Sequence, residues 1–333
     1  MNRPTRRCGR RPALSPDQPA PIRTVFFGSG SFGVPILDAL ADMPGVHVVA
    51  VVTVGSTPVG GRAGGLSLPV LAPRSLRDPQ TVEEIASLGA QLGVLADYGR
   101  IVPSTLIARF VRGILNVHPS LLPRWRGAAP IAATIAAGDG TAGVSIIAMD
   151  AGIDTGPIVA AESWPLAGDE DAPTLRALAS ERGAGLLRAT IGPWIRGEIE
   201  PIPQPEASAT RTRQLSRDDG RLDPRLPAVV LERLVRALRP WPGCHLETAI
   251  GRLIVLEVRV CDSASTDLVG MLIGDADTLT LATSAGRLAL TEVQPAGGRP
   301  MSGAELLRGR GRSLPGTTVI AAGTMVGPWM TSG

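Results

Sequence analysis

A chain of 333 residues is long enough for two domains, and its 44% hydrophobic content can build a substantial core, which excludes a disordered protein. It contains no run of about eighteen apolar residues, so no membrane span and no membrane partner are expected. Every cationic side chain is arginine, and residues 1–22 hold five arginines and one aspartate, leaving the rest of the chain near −1 out of a formal +3; bulk charge gives no general case for a nucleic-acid partner.

The first segment, 1–22, is Pro- and Arg-rich without apolar periodicity and is read as a disordered extension. It lacks the apolar middle of a secretory signal, and its prolines oppose an amphipathic transit helix. The cysteines Cys8, Cys244 and Cys261 form no CxxC pair and are odd in number, so they are read as thiols of a reducing cytoplasm, with no metal framework.

From Thr24 onward strand and helix signals alternate. Apolar, β-branched runs at 24–28 and 46–54 have the character of strands buried on both faces, and 34–42 between them has helical spacing. Further strands are expected at 93–96, 113–117 and 144–149, and helices at 81–88, 131–137 and 174–194. This alternation predicts an α/β, doubly wound parallel sheet over 23–200, with functional residues at the carboxyl ends of strands. A polar, proline-bearing linker follows at 201–213. Beyond it, a helix at 228–238 and strands at 244–248, 252–260, 278–283 and 288–295 predict a small β-barrel over 214–318, then a second loose tail at 319–333.

Gly28-Ser-Gly-Ser-Phe-Gly33 matches the GxGxxG dinucleotide fingerprint between a strand and a helix. The strand that should end in a ribose-binding carboxylate ends instead Val51-Val-Thr-Val-Gly55. The glycines are therefore read as a tight structural turn, and NAD is not expected to bind.

The chemistry is concentrated in Gly113–Pro130 (GILNVHPSLLPRWRGAAP) and Met149–Gly156 (MDAGIDTG). Asn116 and His118 lie two apart and share a strand face, and Asp154 comes from the loop after the strand at 144–149. Attack of an amine on a formyl carbonyl passes through an oxyanion, which an amide N–H and an imidazolium can stabilise. It also needs a group that takes and returns a proton, and a nearby carboxylate favours the charged imidazole. Asn116, His118 and Asp154 are the catalytic candidates. His47, His245 and Asp150 are read as structural.

These residues resemble the methionyl-tRNA formyltransferase family: Asn116-Val-His118, SLLPRWRGAAP (120–130), Asp154-Thr-Gly156, the opening FFGSGSFGVPIL, Tyr98-Gly99 with Ile101-Val-Pro103, RALRPWPG (236–243) and QPAGGRPMSG (294–303). The resemblance implies a Rossmann-like catalytic domain joined to an OB-like barrel. It implies transfer of the formyl group of 10-formyltetrahydrofolate to methionyl initiator tRNA by a cytoplasmic monomer. It also implies catalytic roles for Asn116, His118 and Asp154, tetrahydrofolate contacts from Ser120, Leu121, Leu122 and Pro123, and a pterin pocket lined by 149–154. A sugar-amine formyltransferase with the same donor would keep the trio but lack RWRGAAP and the PWPG motif; a binding protein that has lost activity is opposed by the intact trio.

Two departures stand out. The crossover 54–71, which in the family carries basic residues against the tRNA acceptor end, is short and glycine-rich here, with Arg62 its only basic residue and no helix expected. Asp97 stands where a small residue is expected before Tyr98-Gly99. The second domain, from Gln214 on, has 13 arginines against 12 acids, so its bulk charge does not indicate tRNA contact.

Overall fold

The computed structural model describes residues 20–261, 267–275, 277–319 and 329–332; the extension expected at 1–22 lies outside these except for its last three residues. The first apolar run forms β1 (Ile22–Gly28), followed by α1 (Gly33–Ala41) and β2 (Val46–Val52). Then come α2 (Pro58–Gly65), β3 (Val70–Leu71), α3 (Pro79–Ser87), β4 (Leu92–Ala96), α4 (Ser104–Ile107) and β5 (Ile114–His118). The domain is completed by β6 (Arg126–Gly127), α5 (Pro130–Ala137), β7 (Thr141–Ala148), β8 (Ile158–Pro165) and α6 (Ala172–Arg196).

The main sheet has the order β3-β2-β1-β4-β5-β7-β8. Both faces are buried, as the continuous apolar runs require: Phe26 packs into one core, Val25 and Phe27 into the other. The first five strands are parallel, but β7 and β8 are antiparallel. β7 and β8 are the arms of a hairpin closed by the loop 149–157, which adds an antiparallel edge to the doubly wound parallel sheet expected from the sequence.

The glycines of the β1–α1 turn answer to packing. A Cβ on Gly28 or Gly33 would meet the Ala96 carbonyl oxygen at 2.9 or 2.8 Å, and one on Gly30 would lie 1.8 Å from the Asp97 carboxylate. The N–H groups of Ser29 and Gly30 both donate to the Asp97 carbonyl, at 2.9 and 3.1 Å. Donors that would cradle a phosphate in a dinucleotide site thus bind the end of β4.

The crossover after β2 does contain a helix, contrary to the sequence expectation. Thr57 caps α2 by accepting from the Gly60 N–H at 3.2 Å, and Pro58 occupies its first turn. Four glycines in eight residues hid this helix from any propensity reading. Capping and the burial of Val59 and Ala63 against the core override propensity.

The linker carries β9 (Thr210–Thr212), and the second domain contains α7 (Ala228–Ala237), β10 (Cys244–Thr248), β11 (Gly251–Cys261), β12 (Leu272–Gly274), β13 (Leu279–Ala282), β14 (Arg287–Pro295), β15 (Met301–Ser302) and α8 (Gly303–Arg308). β10-β11-β14-β13-β12 form a curled antiparallel sheet, with β15 added to β14: an OB-like half-barrel. Within the tail expected at 319–333, the described residues Met330–Ser332 form β16, which pairs antiparallel with β9. β9 in turn pairs parallel with β6, so a three-stranded sheet ties the loop around Arg126–Gly127, the linker and Met330–Ser332 together. Helix α5, buried from Pro130 to Ala136, packs against α7, and one core runs through both domains. Among the described residues no helix is long and apolar enough to cross a membrane.

Candidate active site

β5 ends in two polar side chains because it passes the edge of its neighbour. Asn116 pairs with Leu95, next to the last residue of β4, and His118 extends two residues further. Because β7 is antiparallel to β5, Met149 emerges beside the start of β5, its N–H donating to the Ile114 carbonyl at 2.8 Å. The loop 149–157 then folds back over Asn116 and brings Asp154 to the pair.

The three sequence-predicted catalytic residues meet around the Asp154 carboxylate. Its Oδ1 accepts from Asn116 Nδ2 at 2.9 Å, and its Oδ2 accepts from the Gly127 N–H at 2.8 Å. The same Oδ2 lies 3.6 Å from His118 Nδ1. The other ring nitrogen, Nε2, lies 3.0 Å from the Trp125 carbonyl oxygen. A carbonyl can only accept, so Nε2 carries a proton, and in the neutral ring the lone pair is on Nδ1. Asn116 and His118 are buried and Asp154 nearly so, a setting in which charge–dipole interactions are strong. Asp154 adopts φ 54°, a left-handed conformation rare outside glycine.

All three line a cavity of about 1150 Å³ between the domains. One wall comes from Tyr98–Val102 after β4, another from Met149 and Gly152–Asp154, and a third from Arg239–Trp241 of the second domain. The Tyr98 hydroxyl is buried without a hydrogen-bond partner, and its burial pushes the phenol above its ordinary pKa, opposed by the charge of Arg100. Arg100, Arg176, Arg213 and Arg239 stand in the lining against Asp97, Asp154 and Glu181. Asp97, also left-handed at φ 54°, lies 3.8 Å from Arg176, so the departure noted in the sequence is answered by a facing cation.

Ser120, Leu121, Leu122 and Pro123, expected to contact folate, follow directly on Pro119 of this cavity's lining, which resumes at Gly127. Ser120 is buried and donates to the Arg124 carbonyl at 2.7 Å; Leu122 N–H donates to Ser145 Oγ at 3.1 Å. Leu121 fills the space over Gly143, where a Cβ would lie 2.2 Å from it. These residues shape the loop that returns Trp125 to His118. Arg62 is also engaged internally, paired with Asp38 at 2.6 Å, and this contact raises its pKa.

Gln204 was missed by the sequence reading. It anchors the Asp154 loop from the linker, and Arg126, a fully buried arginine, anchors Gln204. Fifty positions separate Gln204 from Asp154, and no local pattern marks the contact.

Known proteins bear on this geometry. Residues 22–190 match the model of the formyl transferase family, and residues 214–311 match that of the formyl transferase C-terminal domain. The chain is 42% identical over 301 residues to a methionyl-tRNA formyltransferase of Roseiflexus sp. (strain RS-1), covering 87% of this chain and 93% of that one. It is 40% identical over 311 residues to the methionyl-tRNA formyltransferase of Halorhodospira halophila (89% and 99% covered). Among solved structures, an N-formyltransferase from Helicobacter canadensis, in complex with folinic acid and dTDP-3-aminofucose, superposes with a TM-score of 0.61 at 16% identity, over 81% of this chain and 98% of that one, which shows a common fold. With both family models matched in order and relatives of this identity along nearly their whole length, the chain belongs to the methionyl-tRNA formyltransferase family.

Proposed function

We propose that this formyltransferase moves the formyl group of 10-formyltetrahydrofolate to the amino group of methionyl initiator tRNA, using Asn116, His118 and Asp154. The observation that carries the reading is the convergence of these side chains on one cavity shared by both domains. At about 1150 Å³ it exceeds the usual small-ligand range of roughly 300–1,000 Å³, which leaves room for a donor and an aminoacyl end together.

Asn116 gives one Nδ2 hydrogen to Asp154 and keeps the other for the oxyanion that forms when the amine adds to the formyl carbon. His118 takes the proton of the attacking amine on Nδ1, since Nε2 is already protonated against Trp125. Asp154 stabilises the imidazolium so formed. His118 then returns the proton to the departing donor nitrogen as the carbon–nitrogen bond breaks, leaving the formylated amine. The buried Tyr98 hydroxyl and the 149–154 loop fit the pterin end of the donor. Ser120, Leu121, Leu122 and Pro123, next to Pro119 of the lining, contact the tetrahydrofolate.

The catalytic domain is taken as 23–200 and the tRNA-holding domain as 214–318, joined by 201–213, in a cytoplasmic monomer. Arginines on an OB-like surface suit a nucleic-acid backbone. Assays with 10-formyltetrahydrofolate should give rapid formylation of methionyl initiator tRNA and none of free amino sugars. Faster transfer to an amino sugar would overturn the reading.

A further inference from the structure

We propose that Asp139 is a positioning residue for His118, acting through Trp125 to keep the ring proton on Nε2. The inference rests on the function proposed above for its catalytic consequence, though not for the geometry itself. Asp139 follows α5, whose C-terminus places it: Gly138 takes the left-handed cap conformation and the Asp139 N–H donates to the Thr134 carbonyl at 3.1 Å. Its carboxylate accepts three hydrogen bonds. Arg124 contributes Nε to Oδ2 at 2.9 Å and Nη2 to Oδ1 at 2.6 Å, and Trp125 contributes Nε1 to Oδ2 at 2.8 Å. The Arg124 guanidinium also lies over the Trp125 ring, 4.1 Å from its centroid.

These contacts hold Trp125 in a conformation it would not adopt alone. Its φ is 60°, a left-handed conformation that a residue other than glycine rarely adopts. The indole is buried, and the Trp125 N–H is secured by Thr210 Oγ1 at 2.8 Å. The result is a carbonyl pointed back at His118 Nε2 from seven residues downstream.

That carbonyl decides a competition. Asp154 on the Nδ1 side would by itself favour a neutral ring with its proton on Nδ1, leaving the lone pair on Nε2. The Trp125 carbonyl requires the opposite tautomer, in which Nδ1, on the side of Asp154, is free to accept a proton. Asp139 touches neither His118 nor the cavity lining, so its effect is carried by the indole and the backbone.

The test is Asp139→Asn in the full chain. The amide presents an NH₂ to a donor of Arg124 or Trp125, and the tripod cannot close. We expect kcat to fall on the order of 10-fold, the scale for groups that orient a histidine, with KM for donor and acceptor unchanged. Nitrogen-15 spectra of the imidazoles carry the discriminating signal, and only three histidines need assignment. His118 should show its neutral proton on Nε2 in the native chain and a mixed or reversed tautomer in the variant. Asp139→Glu should restore part of both signals. If Asp139→Asn fails to fold, Arg124→Met, which keeps an aliphatic stem over Trp125 but removes the charge, takes its place with the same expectations. A tautomer unchanged in the variant, whatever happens to kcat, overturns the proposal. If instead His118→Ala proves active, the catalytic reading falls while the tautomer result stands.

Discussion

Gln204, on the segment between the domains, donates from Nε2 to the carbonyl oxygens of both Asp154 and Gly156, at 2.9 and 2.6 Å. Its Oε1 accepts from Arg126 Nε at 3.0 Å, and that buried guanidinium pairs with Glu206 at 2.6 Å. The clamp supplies what a left-handed aspartate needs, an environment that over-determines it. Gln204→Ala should lower kcat by roughly 10-fold to 10²-fold, because small displacements of a catalytic group are costly. Steady-state kinetics beside a melting curve would separate loss of position from loss of fold; unchanged kcat would mean that the loop holds Asp154 unaided.

Asn116→Ala and His118→Ala act on charge that develops only during reaction. Each should reduce kcat by at least ~10²-fold, the scale for one oxyanion donor, with the melting temperature little changed. Single-turnover formyl transfer is the measurement, and near-native rates in either variant would remove the proposed mechanism.

Asp154→Asn keeps the volume but cannot accept on both oxygens. One of its two hydrogen bonds, from Asn116 or Gly127, must face an NH₂ group instead. The pH–rate profile should lose or shift a limb as well as drop in height. A profile unchanged in shape, with only weaker donor binding, would make Asp154 a pocket residue.

Arg62 carries the only positive charge of the short crossover, and α2 presents it to Asp38. Arg62→Ala should lower the salt slope of tRNA binding by about one at most, since each neutralised phosphate contributes roughly 0.7–0.9. The KM for donor should stay constant. If binding and its salt dependence are untouched, the Asp38 pair is the whole role of Arg62.

His245 provides a pH test of the second domain. Burial lowers its pKa from the ordinary 6.5, reinforced by the charges of Arg252 and Arg221 and opposed by Glu247 and Asp218. The unfolded chain therefore binds more protons at this position below that value. Stability is full above pH 6.5 and is lost as pH falls through the depressed folded value. Calorimetric melting temperatures should decline through mildly acidic pH, and His245→Gln should flatten part of that decline. An identical pH dependence in the variant would assign the loss to the carboxylates.

The sequence by itself determined the strands, since apolar runs such as Thr24–Gly28 and Val46–Val52 can be satisfied only between two buried faces. It also determined the pairing of Asn116 with His118, because an amide and an imidazole two apart on a strand share a face. Long-range relations were decided only by tertiary structure. Packing sets β7 antiparallel to β5, and Asp154 therefore reaches Asn116 through the loop that turns back from β7 into β8. The Ser120–Pro123 run reads in line as a motif, and only the folded loop shows that it also returns the Trp125 carbonyl to His118. Gln204, Arg126 and Asp139 gain their roles from contacts made across the fold, where side chains far apart in the chain meet. Periodicity and motif spacing record which face a residue takes within its own element. Which residue stands opposite is set when the elements pack, and in this protein that packing places the linker behind Asp154 and the end of α5 behind Trp125 and His118.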